Sequence, residues 1–121
     1  MRLIFVYNAN SGVVNTLLHS FHKVASPSTY DCNLCALTYG SFTENEIWKN
    51  FREHAEMDME FLHKDEFLDQ FGSKWLPKYT FPIILVDHNG ELEVFLNSNE
   101  LNKLETAEAL IQEITIRQLD Y

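Results

Sequence analysis

Positive charge is scarce in this chain of 121 residues. Nine Lys and Arg stand against 18 Asp and Glu, a formal net charge of −9 at pH 7 with a pI near 4.8. Such a surface gains nothing from counterion release on DNA or RNA and is repelled by anionic lipid, so nucleic acid and membrane are poor partners. Long apolar runs are missing too. The opening run meets Asn8, too short for a signal-peptide core and without a small-residue cleavage site. No stretch approaches the roughly 20 apolar residues that cross a bilayer as a helix. Together these absences predict a cytoplasmic protein. Internal repeats and low-complexity tracts are also absent. Sulfur chemistry is confined to one place, because the only two cysteines are Cys32 and Cys35.

What is present is a core. Hydrophobic residues make up 45% of the chain and include nine phenylalanines, which rules out disorder. A chain of this length encloses one hydrophobic core, predicting a single domain over residues 1–121.

The apolar pattern divides the chain into elements. Residues 3–7 form a continuous run of β-formers, read as a strand buried on both faces. Val14, Leu17, Leu18, Phe21 and Ala25 recur at helical spacing and predict an amphipathic helix over 13–25. Residues 26–42 follow as a long segment holding the cysteines. Thr43-Glu44-Asn45-Glu46 has the spacing of a capping box, and Ile47, Phe51 and Ala55 would mark the buried face of the helix it starts. Met57, Met59 and Phe61 alternate with acidic residues, as on a half-buried strand. A short helix over 65–71, capped by Asp65, closes at Gly72. A strand over 81–86, the turn His88-Asn89-Gly90 and a return strand over 92–96 make a hairpin. A last helix runs from Thr106 to about residue 119. The fold class is α/β: a mixed four-stranded sheet, first two strands parallel, last two an antiparallel hairpin, flanked by helices. Trp48 and Trp75 read as core and loop packing.

In its opening strand, in Thr80-Phe81-Pro82 before the third strand, in the Asn89-Gly90 hairpin and in its last helix, the chain resembles the thioredoxin-like superfamily in its small glutaredoxin-like form. The resemblance implies a single thioredoxin-like domain over 1–121, with a cysteine-containing insertion at about 26–42. It also implies a cis peptide before Pro82 and an edge at Phe81 and Pro82 that receives an extended thiol substrate. One departure is large. The family carries its Cys-x-x-Cys directly after the first strand, where this chain has Asn8-Ala9-Asn10-Ser11.

The displaced pair has several readings. As a redox dithiol, Cys32 and Cys35 would be the catalytic residues, and Asn8, Asn10, Phe81 and Pro82 would bind the substrate, a protein or a small-molecule thiol. An extended strand rises roughly twice as far per residue as a helix, so a few residues after the first helix can climb back to the edge of Asn8 and Pro82. As a zinc site, His19 and His22 would join the cysteines in a Cys₂His₂ set that tetrahedral zinc accepts. Zinc needs the cysteines near the far end of the first helix, whereas redox chemistry at the family's edge needs them beside Asn8. As inert residues, two small apolar side chains would pack the segment against the helices. His63 with Asp65 or Glu66 is a further acid/base candidate at the carboxyl end of the second strand. No cofactor is called for, and oligomeric state cannot be read from the sequence.

Overall fold

The computed structural model describes residues 1–9, 32–39, 43–72 and 79–121. The expected helix over 13–25, and with it His19 and His22, lies outside the described residues, as do Asn10 and Trp75.

Strand β1 (Arg2–Tyr7) is the centre of the molecule. Leu3, Ile4, Phe5 and Val6 are fully buried, as an unbroken apolar run requires when both faces of a strand are covered. On one side β1 pairs in parallel with β2 (Asp58–His63), and on the other antiparallel with β3 (Ile83–His88). β4 (Glu91–Leu96) adds antiparallel to β3, giving the order β2-β1-β3-β4. The α/β class and the mixed sheet expected from the pattern are therefore present. The edge strands keep acidic residues along their length, Asp58 and Glu60 on one and Glu91 and Glu93 on the other, which discourages edge pairing.

Side chains alternate between two cores. Leu3, Phe5, Tyr7, Ile84 and Val86 face one cluster, packed against α1 (Asn33–Thr38), α2 (Glu46–His54), α4 (Ser98–Asn102) and α5 (Ala107–Gln118). Ile4, Val6, Ile83 and Leu85 face the other, where Phe67 of α3 (Lys64–Phe71) is fully buried. The sheet thus lies between helical layers.

Several boundaries depart from the sequence reading. Asn45, not Thr43, caps α2, accepting the Trp48 N–H on its Oδ1 at 3.0 Å. The later start rotates the helix, so Trp48 is fully buried while Ile47 is 46% exposed and Ala55 falls beyond the last turn. Glu44 is engaged instead with Arg52, each carboxylate oxygen accepting from the guanidinium at 2.8 Å. His63, not Asp65, is the cap of α3, with Gly72 closing it at φ 80°. Strand β3 starts two residues later than expected and runs to His88. Asn89 and Gly90 both take positive φ (54° and 95°), the primed-turn geometry that selects Asn-Gly. The helices α1 and α4 were not expected.

Candidate functional site

The site is assembled where β1 ends. Asn8 follows the last residue of the strand, and its backbone N–H donates to Cys32 Sγ at 3.3 Å. Cys32 stands in extended conformation as the N-cap of α1, and its sulfur accepts a second backbone N–H, from Cys35, at 3.3 Å. Cys35 is one helical turn on, its Cα 5.3 Å from that of Cys32, with the two sulfurs at disulfide distance. Both cysteines are buried, at 3% and 6% exposure. The pair therefore stands at the edge of Asn8.

The residues within the motif are locked from two sides. Leu34 is fully buried, and Asn33 Nδ2 donates to the carbonyls of Leu101 and Leu104 at 2.6 and 2.9 Å. Thr38 Oγ1 donates to Leu34 C=O at 2.8 Å and lies 3.4 Å from the Tyr7 hydroxyl, joining α1 to β1. The sulfurs are thus fixed to the sheet by a strand-end amide and to the helical layer by the helix they begin.

Pro82 shares this edge. In the antiparallel register of β1 and β3, Val6 opposes Ile83, and Pro82 directly precedes that pair at the end of the sheet where β1 finishes. The Phe81–Pro82 peptide is cis. The Pro82 carbonyl accepts from Ser98 Oγ at 2.8 Å, and Thr80 Oγ1 lies 2.8 Å from that same hydroxyl. The Phe81 side chain goes elsewhere. Its ring packs in the second core, 5.8 Å from that of Phe67, with Lys64 Nζ 5.6 Å from its centroid.

His63 is also at the carboxyl edge, opposite Tyr7 in the parallel register, with the two rings 5.8 Å apart. Its Nδ1 and its backbone N–H both meet Glu66 Oε1 at 2.7 Å. The backbone bond first, and the ring second, hold the Glu66 carboxyl below its ordinary value. This pair is a helix cap in its geometry. Among the described residues, no group of three or more His, Cys, Asp and Glu is placed to hold a metal ion.

The structure thus brings Cys32 and Cys35 to the Asn8 backbone, with Pro82 preceding β3 at the same edge of the sheet, and leaves the Phe81 ring in the second core. Asn33, Thr38 and Ser98 were missed by the sequence reading. For Ser98 a signal existed, since Asn97 and Glu100 have the spacing of a capping box around it, and both of its hydrogen bonds form at 2.9 Å. For Asn33 none did, because its acceptors lie far along the chain. No known protein family, curated protein or solved structure matches this chain.

Proposed function

We propose that this chain is a thiol–disulfide exchange protein of thioredoxin-like architecture, with Cys32 and Cys35 as the exchanging pair. The observation that carries the reading is the place of the Cys32 sulfur, at the carboxyl edge of β1 and facing the N–H groups of Asn8 and Cys35. Hydrogen bonds donated to a sulfur favour negative charge on it, and the thiolate is the nucleophile. The strand order and the position of Pro82 at the start of β3 fit the arrangement that the resemblance implies. Partners are disulfides of proteins or small molecules, in a reducing compartment such as the cytoplasm where the pair rests as a dithiol.

The exchange balances without a cofactor. The Cys32 thiolate attacks one sulfur of the partner disulfide, a Cys32–partner bond forms, and the second partner sulfur leaves as a thiolate and takes up a proton. Cys35 gives its proton to solvent and attacks Cys32 Sγ. The Cys32–Cys35 bond forms and the remaining partner sulfur leaves. The partner is reduced by two electrons and the pair oxidised, to be restored by a low-molecular-weight thiol or dithiol.

A second reading is favoured by the burial of both sulfurs and of Leu34. In it the pair, alone or with zinc on His19 and His22, fastens the segment over 26–42 and performs no exchange. Counting free thiols in the native protein, reduced and after oxidised glutathione, with a metal assay on the same sample, separates the two. Two thiols falling to none, with no metal, is the expected result. Thiols that resist oxidation would overturn exchange, and stoichiometric zinc would favour the second reading.

A further inference from the structure

Helix α4 has five residues, too few to be held by its own hydrogen bonds, and its two ends are fastened to different parts of the thiol edge. At its first residue, Ser98 Oγ donates its one proton to the Pro82 carbonyl, so Thr80 Oγ1 must be the donor to Ser98. Proline has no N–H with which to join the β1 ladder, and this carbonyl contact is what ties it down. At the other end, the Leu101 carbonyl and that of Leu104 just beyond the helix accept both N–H groups of one amide, Asn33 Nδ2. The Leu101 carbonyl also accepts the Leu104 N–H at 3.2 Å, so the amide is a second donor there and ties the end of α4 to the residues that follow it. Asn33 directly follows Cys32, so the amide that caps α4 is one peptide away from the sulfur. Leu101 is fully buried in the core that holds Cys32 and Cys35.

We infer that α4 is a strut that fixes the Cys32 sulfur relative to Pro82, with Asn33 and Ser98 as its positioning residues. The inference rests on the thiol-exchange reading. α1 is a single short helix begun by Cys32, so a shift of Asn33 moves the sulfur against the Asn8 amide. A shift of Ser98 moves Pro82 directly and reaches the sulfur only through α4 and Asn33. The strut transmits either shift to the other end, and the two positions act as one unit.

The test measures the pH profile of Cys32 alkylation by iodoacetamide in the full-length Cys35→Ser protein. Asn33→Ala and Ser98→Ala should each slow alkylation at neutral pH roughly tenfold, the equivalent of one hydrogen bond, and move the midpoint of the profile upward. Their combination should be no slower than the slower single variant, because coupled positions fail to add. Ser98→Thr, which keeps the hydroxyl, should restore the parent profile. Asn89→Ala, at the positive-φ turn on the opposite end of β3 from Pro82, should lower stability and leave the profile unchanged. Additive losses, or a profile that neither alanine variant moves, would overturn the strut alone. A folded parent whose Cys32 reacts no faster than in the unfolded chain would overturn the exchange reading and the strut with it. Should Asn33→Ala fail to fold, Ser98→Ala with its threonine rescue decides the same question, since it removes a single oxygen.

Discussion

Trp48 joins the helical layer to the sheet. Its ring is fully buried and meets Phe5 and Phe61 edge-on at 5.6 and 6.3 Å, with Phe51 at 5.6 Å. Yet its indole Nε1 is buried with no hydrogen-bond partner among the described residues. Two terms therefore oppose each other at one residue, a large gain from apolar burial and a smaller cost from an unpaired donor. Trp48→Ala should destabilise the protein by about 3–5 kcal/mol, the cost of a large cavity. Trp48→Phe removes the unpaired N–H along with some volume, and should lose less than half as much. Urea unfolding of the three proteins measures both, and equal losses would show that the donor carries no penalty. The same residue shows how far a sequence can be read. A tryptophan in an amphipathic helix is recognisable as core, but whether it or Ile47 turns inward depends on which of Thr43 and Asn45 begins the helix. Both are good caps. The bonds from the Asn45 N–H to Thr38 and from the Trp48 N–H to Asn45 decide it, and the first is made to the last residue of α1.

Elements were legible where local chemistry sufficed. Asn89-Gly90 announced the hairpin, Gly72 the end of α3 and Thr106 the start of α5, since each acts within a few residues. α1 was not legible as a helix, because it is held mainly from outside, whereas α4 carried the capping-box spacing of Asn97 and Glu100 on a helix of only five residues. The site followed the same division: the cysteine spacing is plain in the sequence, whereas the Asn8 amide and the Asn33 clamp exist only once the chain is folded. Short helices of this kind depend on their ends, and at α4 the ends titrate. The Glu100 carboxyl is held below its ordinary value of 4.5, first by the Asn97 N–H and then by Arg117, with Lys103 adding a little. Arg117 also pairs with Glu113 and donates to the Phe95 carbonyl. A depressed carboxyl favours the folded state above its unfolded value, and that contribution is lost as pH falls through the lower folded one. Stability of the parent should therefore decline below pH 4.5. Glu100→Gln should start lower and show a shallower decline, read from urea midpoints across that range. Glu66 and Asp87, also depressed, supply the slope that remains.

At the scale of the whole molecule, charge works against compactness. A net charge of −9 on a small domain repels itself, and salt screens that repulsion over a distance of about 10 Å at 0.1 M. Three arginines bind the fold: Arg2 joins Glu60 and Asp87 on neighbouring strands, Arg52 holds Glu44, and Arg117 joins α4 to α5. Such exposed pairs are individually weak. Screening the overall repulsion should outweigh weakening them, so the melting temperature should rise between low salt and physiological ionic strength. Differential scanning fluorimetry at the two salt levels checks this, and a fall would mean that the ion pairs dominate. No helix among the described residues is long and apolar enough to cross a membrane.

The hydrogen bond between Asn8 and Cys32 spans 24 residues, while the two cysteines are only three apart. Closing so small a ring is a local event open to any conformation of the chain, whereas bringing the strand-end amide to the sulfur requires the tertiary structure. A chain during synthesis thus possesses the cysteine pair well before it possesses the site. Oxidation of the pair therefore does not report whether the chain has folded. Enhanced reactivity of Cys32 reports completed folding, which makes alkylation rate a native-state assay that disulfide content cannot replace.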